Sequence, residues 1–401
     1  MVDRADRPFD LVLFGASGFT GGLTAAYLAG QAPVGLRWAL AGRNLDKLAH
    51  VRDRLARSGD GGPELPLVYA DSSDPESLAE LAACTRVLAS TVGPYLRHGE
   101  GLVGACARQG TDYLDLTGEA EFVDRMYNLY HRQAQRSGAR LVHCCGFDSI
   151  PHDLGVLFTV LQLPSDVPIA VEGVVRAGGR ISAGTIHSAV TAMSRLRAAA
   201  REHRTRAEGD PGPAGRSVHA RAGRIRRVDG RWLVPLPTID PQVVTRSAQA
   251  LTEYGPDFSY GHYAGVDHLA TIVAGGLTIG GVMAIAQIPP ARSLLLRRVT
   301  SGVGPSEQQR EAGWFTVRFT ARTPEVELVT EVSGGDPGYG ETARMLGESA
   351  LCLALDDLPQ RSGQLTPAVA MGSALIDRLV AAGLRFDVVG RVRRTGLGPA
   401  Q

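Results

Sequence analysis

The sequence predicts an α/β chain with a doubly wound parallel sheet, an inserted α+β substrate domain, and C-terminal helices that return to the first domain. Three observations carry this expectation. Short apolar runs alternate with amphipathic ones as far as about residue 154. The first junction is glycine-rich, "LVLFGASGFTGGL" at Leu11–Leu23. After Leu154 the alternation stops. Strand and helix patterns that alternate in this way indicate βαβ units, whose crossovers produce a parallel sheet covered on both faces.

Phe9 to Phe14 reads as a short apolar strand of the type buried on both faces. Gly15, Gly18 and Gly21 follow, and "TAAYLA" begins a helix. A strand, a glycine turn and a helix N-terminus form a phosphate cradle, because the free N–H groups and the helix dipole favour negative charge. Gly15, Ala16, Ser17, Gly18, Phe19, Thr20 and Gly21 are therefore the expected pyrophosphate-binding residues of a Rossmann domain. Such spacing also occurs in plain turns, so the next junction matters. "GLRWALAGRN" is a second strand ending at Arg43. The residue just past strand two meets the adenosine ribose, where an acid suits a free 2′-hydroxyl and an arginine a 2′-phosphate. Arg43, with Asn44 beside it, predicts NADPH rather than NADH; a solvated surface arginine is the alternative.

Asn44 caps a helix with an apolar stripe at Leu45, Leu48, Val51 and Leu55. "LPLVYADSS" is a third strand with Asp71 at its adenine-facing end, and Asp74-Pro75 opens a helix. "TRVLASTVGPY" is the fourth strand, and its loop places Thr91, Val92, Gly93 and Pro94 beside the nicotinamide. "GLVGACARQG" is a helix and "TDYLDLTGE" the fifth strand. A helix from about Ala120 to Ser137 leads to the sixth, "ARLVHCCGFDSIPHD". The ligand crevice lies beyond the carboxyl ends of these strands. The expected divisions are 1–154 for the cofactor domain, 155–335 for the substrate domain, 336–390 for the returning helices and 391–401 for a loose tail.

In the second half, "IAVEGVVRA" reads as a strand, "SAGTIHSAVTAMSRLRAAAREH" as an amphipathic helix, and "WFTVRFTAR" and "VELVTEVSGG" as antiparallel strands. "GYGETARMLGESALCLAL" is a long helix, and another runs from Thr366-Pro367 to Gly383. "LATIVAGGLTIGGVMAIAQI", Leu269–Ile288, is long enough to span a bilayer, but four glycines weaken it as a helix. Core or an acyl-pocket wall is preferred for it over peripheral membrane contact, and both over a span.

Composition narrows the chemistry. The net charge of +1 makes no general case for nucleic acid, and aromatic residues are nearly absent from the arginine-rich stretch Arg195–Arg231. Lys47 is the only lysine and lies far from the nicotinamide, which excludes a Tyr-x-x-x-Lys reductase, a Walker site and a Schiff-base enzyme. Five cysteines with no CxxC argue for a reducing compartment. With a polar N-terminus the expectation is a cytoplasmic protein. Cys144-Cys145 raises nucleophilic acyl chemistry, against which stands the commoner role of such thiols as small buried hydrophobes. No metal-ligand spacing is present, so metal-free hydride transfer is expected.

The blocks "GASGFTG", "AGRN", "STVGPYLRHGEGLVGAC", "GTDYLDLTGE" and "CGFDSIPHDLG" together resemble the saccharopine dehydrogenase-like oxidoreductases, closest to their trans-acting enoyl reductase branch. The likeness continues in "EVSGGDPGYGETARMLGESALCLA" and "TPAVAMGSALIDRL" and is weakest over roughly 200–265. It implies NADPH-dependent reduction of a C=C bond in a carrier-bound polyketide or acyl chain. Two alternatives stay open: reduction of C=N or C=O in a small amino- or keto-acid-like substrate, and a dinucleotide-binding, lipid-associated protein with little turnover. Enoyl reduction needs oxyanion donors and an acid near the nicotinamide. Tyr95 is the first candidate and His152 the second, with Asp148 and His98 also in the loops; Tyr339 and His187 are weaker. Arg195–Arg231 is a candidate docking surface for an acidic acyl carrier protein, and a homodimer is expected.

Overall fold

Residues 4–57, 65–178, 194–210, 212–268 and 304–393 are described in the computed structural model of this chain. Leu11, Val12 and Leu13 of β1 (Phe9–Phe14) are fully buried because the strand is central, paired in parallel with β2 (Trp38–Gly42) and β4 (Thr85–Ser90). Helices α1 (Phe19–Gln31), α2 (Leu45–Arg57), α3 (Pro75–Ala83), α4 (Tyr95–His98), α5 (Glu100–Gln109) and α6 (Ala120–Ser137) alternate with β3 (Leu67–Tyr69), β5 (Asp112–Asp115) and β6 (Arg140–Val142). The six anticipated strands form in the expected chain order. The sheet has seven strands, all parallel, in the order β14-β6-β5-β4-β1-β2-β3. Its seventh, β14 (Gly363–Leu365), comes from the far end of the chain and was not expected. At three residues it is too short to show a period, and its pairing with β6 fixes it.

The connection from β3 to β4 carries the chain back past β1 and reverses the winding, which opens a crevice beyond the carboxyl ends of β1 and β4. After β6, α7 (Ile150–Val160) leaves this crevice and crosses to a second, mixed sheet ordered β15-β13-β12-β7-β11-β10-β9, with β8 paired to β11. Its strands are β7 (Ile169–Gly178), β8 (Ser217–Ala220), β9 (Arg226–Val228), β10 (Arg231–Pro235), β11 (Asp257–Val266), β12 (Trp314–Arg322), β13 (Val326–Gly334) and β15 (Arg385–Arg393). Alternation along β12 buries Phe315, Val317, Phe319 and Ala321 against α7, where a Cβ on Gly155 would collide with the Phe319 ring. Gly155 is thus a close-approach position.

The remaining helices are α8 (Leu196–Gly209), α9 (Asp240–Ala250), α10 (Glu307–Glu311), α11 (Gly340–Leu355), α12 (Pro367–Ala370) and α13 (Gly372–Ala381). The long C-terminal helix, α11, packs on α1 and on β1, β4 and β5. There Tyr27 donates from its hydroxyl to Glu348 at 2.6 Å.

Two expectations fall wholly or partly outside the described residues, and one is corrected. Of the helix read from Ser182, the described part is Leu196–Gly209; residues 182–193, with His187, lie outside the described residues. Leu269–Ile288 also lies outside them; among the described residues no helix is long and apolar enough to cross a membrane. The segment expected as a loose tail begins inside β15, which pairs with β13 as far as Arg393.

Candidate functional site

The glycine turn is shaped by close backbone approach. Gly15 has φ +95°, and a Cβ on it would lie 2.7 Å from Thr91 Oγ1. A Cβ on Gly21 would collide with the Gly15 carbonyl, so α1 can seat against the turn only with glycine there. The Thr91 hydroxyl bridges from β4, within donor range of the Phe14 and Gly15 carbonyls at 3.3 and 3.2 Å. Gly18 caps α1 without a side chain, and the first turn carries no acidic residue. These features suit a diphosphate: the first amides of a helix have no intrahelical acceptor, and the first turn of this one holds no carboxylate to repel an anion. Ala16 is buried beneath the turn while Ser17 is exposed, and Phe19 and Thr20 are half-buried.

Arg43 and Asn44 are exposed at the end of β2, with Asn44 Oδ1 accepting from the Lys47 N–H at 2.8 Å to start α2. Asp71 lies close by. Hydrogen bonds from the Ser73 amide and hydroxyl hold its carboxyl below the ordinary value, helped by Arg43 and His98. The structure thus brings Arg43, Asp71 and His98 together at the end of the crevice expected to take adenosine. His98 is exposed, 3.5 Å from Ser72 Oγ, and not among the loops after β5 and β6.

Tyr95 is placed differently from the expectation. Its hydroxyl donates to the Ser90 carbonyl at 3.0 Å and accepts from the Leu116 N–H at 3.2 Å, and its ring packs on Phe122. Burial raises its pKa well above the ordinary value. Glu119 fixes the start of α4 by accepting from the Tyr95 and Leu96 amides at 3.0 and 2.9 Å. In this geometry Tyr95 is a strut between the β4 and β5 loops, and Val92, Gly93 and Pro94 run above it, with the Gly93–Pro94 peptide cis.

A buried group of titratable side chains gathers instead at the start of α7. His152, 3% exposed, lies with Nδ1 2.9 Å from Asp240 Oδ1, close but off the hydrogen-bond line. Asp240 Oδ2 is 3.5 Å from His262 Nε2, and the Tyr260 hydroxyl is 3.1 Å from His262 Nδ1. The two imidazoles meet edge to face at 4.8 Å. Burial would raise the Asp240 carboxyl, but His152 first and then His262 hold it below its usual value. His262 is pushed down to about 4, mainly by burial. Asp148 sits over Gly118 and is pushed up to about 6 by burial and by Asp240. Phe147 stands edge to face with both His152 and Phe315, so an apolar wall flanks the group. A second buried pair, His143 Nδ1 and Asp115 Oδ2 at 2.6 Å, lies behind it at the ends of β5 and β6.

His152 and Asp148 were visible in the sequence; Asp240, His262 and Tyr260 were not. Asp240-Pro241 carried only a helix-start signal, and "YGHYAG" offered only alternation. The thiols of Cys144 and Cys145 are buried and pushed well above their ordinary value, which does not suit nucleophilic attack. Among the described residues no cluster of His, Cys, Asp or Glu could hold a metal ion.

Residues 11–142 match the saccharopine dehydrogenase NADP-binding domain. Over nearly its whole length the chain is 36% identical to a trans-acting enoyl reductase of Mycobacterium ulcerans, covering 96% of this chain and 98% of the relative. The chain belongs to the trans-acting enoyl reductase family. Another member, from Mycobacterium tuberculosis, is 35% identical over the same shares of both chains. Saccharopine dehydrogenase from Saccharomyces cerevisiae shares the fold, with a TM-score of 0.55 at 11% identity, over 95% of this chain and 99% of that one.

Proposed function

We propose that this protein is an NADPH-dependent enoyl reductase that acts in trans on the C=C bond of a carrier-bound polyketide or acyl chain in the cytoplasm. The observation that carries the reading is the end-to-end likeness to trans-acting enoyl reductases, joined to a glycine turn shaped for a diphosphate. NADPH, when bound, supplies the hydride that adds to the β-carbon. The turn from Gly15 to Gly21 would hold its pyrophosphate, Arg43 and Asn44 its 2′-phosphate, Asp71 its adenine side, and Thr91 to Pro94 would line the nicotinamide.

The chain's own residues then have to manage the charge left on the α-carbon and its carbonyl. His152 is our choice of proton donor, since its Nδ1 lies 2.9 Å from Asp240 Oδ1 and its ring nitrogens make no well-aligned hydrogen bond among the described residues. Asp148, pushed up to about 6, can pass a proton in the same place. Phe147 and Phe315 exclude water from the reacting carbon. Tyr95 positions the β4 and β5 loops.

Carrier docking uses fewer arginines than the sequence offered. Arg195 pairs with Glu121, Arg206 is buried on Asp124, Arg221 and Arg226 hold Glu172, and Arg231 holds Asp267. Arg197, Arg201 and Arg204 on α8, with Arg224 and Arg227, are exposed and suit an acidic carrier. A small acidic substrate is less well served: Arg176 is held by Asp267 at 3.1 Å and lies against Trp314, and Arg97 is exposed. The yeast likeness extends to the fold alone. The test is NADPH consumption with an enoyl thioester on a carrier protein, on free pantetheine, and with keto and imine substrates. Turnover of the enoyl thioester alone, with a lower KM on the carrier, is expected; preference for the keto or imine substrate would overturn the reading.

A further inference from the structure

The ring of Phe19, the first residue of α1, is held by three parts of the chain that lie outside the nucleotide-binding sheet. Tyr339 meets it edge to face at 4.9 Å. Gly304 lies so close that a Cβ would collide with the ring. The Arg310 guanidinium carbon stands 5.9 Å from the ring centroid. Arg310 is mounted on α10, a short helix fixed by a capping box in which Ser306 and Gln309 bond reciprocally. One of its N–H groups donates to the Pro305 carbonyl at 3.1 Å, and among the described residues no carboxylate pairs with it.

A half-buried guanidinium has been set beside the positive end of the α1 dipole, with no acidic residue in that helix's first turn. Two positive ends facing each other are unfavourable unless an anion lies between them. We propose that Arg310 binds the cofactor pyrophosphate, reaching over Phe19 to close the diphosphate cradle from the opposite side to the glycine turn. The inference rests on the reading of the site as an NADPH site. It adds a second guanidinium, one whose contact is independent of the 2′-phosphate recognised by Arg43.

Calorimetry separates the two. The probes are NADPH, NADH and adenosine 2′-monophosphate, which lacks a 5′-phosphate, each titrated into the wild type, Arg310→Ala, Arg310→Lys and Arg43→Ala. Loss of a charged hydrogen bond should weaken NADPH and NADH binding to Arg310→Ala by about ten- to a hundredfold, leave adenosine 2′-monophosphate unaffected, and be partly restored in Arg310→Lys. Arg43→Ala should instead weaken NADPH and adenosine 2′-monophosphate and spare NADH. Undiminished NADPH binding by Arg310→Ala overturns the inference alone, as does equal loss of all three ligands, which would mean that Arg310 only supports Phe19. A wild type that binds neither dinucleotide overturns both the inference and the reading beneath it.

Discussion

Replacing Asp153 with Asn should change how stability depends on pH while leaving the fold intact. The carboxyl is fully buried one residue past His152 on α7 and joins three elements: it accepts from Ser247 Oγ of α9 at 2.5 Å and from the Ala368 N–H of α12 at 2.8 Å. Ser247 in turn meets Thr366 Oγ1 at 2.6 Å. Burial pushes the Asp153 carboxyl from 3.8 up to about 7, so near neutrality the folded protein keeps a proton that the unfolded chain releases. The stability this gives is fully present below about pH 4 and is lost as pH rises through 7. At about 1.4 kcal/mol per unit, the loss between pH 5 and pH 8 is roughly 3 kcal/mol. Asn resembles the protonated carboxyl in shape and cannot ionise, so its variant should lack this loss. Asp148 contributes a similar slope to both proteins and cancels in the comparison. Urea unfolding midpoints at pH 5, 6, 7 and 8, with m-values checked for constancy, measure the difference. Asp153→Asn should gain on the wild type by about 3 kcal/mol across this range. Parallel curves would refute the argument.

Tyr95→Phe and His152→Gln should separate positioning from chemistry. The first removes a buried hydroxyl and strands the Leu116 N–H, lowering stability by about 1–3 kcal/mol with turnover largely kept; the second should lower kcat about 10²- to 10⁴-fold with NADPH affinity unchanged by calorimetry. A large kcat loss in Tyr95→Phe at unchanged stability would return the donor role to the tyrosine. Gly21→Ala drives a methyl into the Gly15 carbonyl and against Thr91, so it should cost about 1–3 kcal/mol in thermal or urea unfolding and weaken NADPH binding at least tenfold. Reversing the charge of Arg201, Arg204 and Arg227 together should raise KM for a carrier-bound substrate and leave KM for the pantetheine thioester unchanged.

The first sheet could be read from the sequence because each of its six early strands sits in its own βαβ repeat, where periodicity and caps agree. Gly15, Gly18 and Gly21 announced a close approach that the Gly15 carbonyl and Thr91 make explicit. The second sheet was only partly readable. β12 and β13 alternate cleanly, but β11 carries buried polar groups and glycines that blur its pattern, and β14 is three residues long. Tyr95 shows why a loop position does not fix a role: Glu119, more than twenty residues away, turns α4 so that the hydroxyl points into the β4–β5 strut. Nor could spacing join His152 to Asp240, since that contact exists only because α9 packs on α7.

The central claim is that hydride from NADPH reaches the β-carbon of an enoyl thioester while the protein supplies a proton to the α-carbon. Reaction of C4-deuterated NADPH with a carrier-bound enoyl thioester in ordinary water, followed by mass spectrometry and NMR of the saturated product, measures it directly. The expected product carries one deuterium at the β-carbon and a solvent-derived proton at the α-carbon. Recovery of unreduced enoyl thioester, or of deuterium on a former carbonyl or imine carbon in a parallel substrate, would contradict the account.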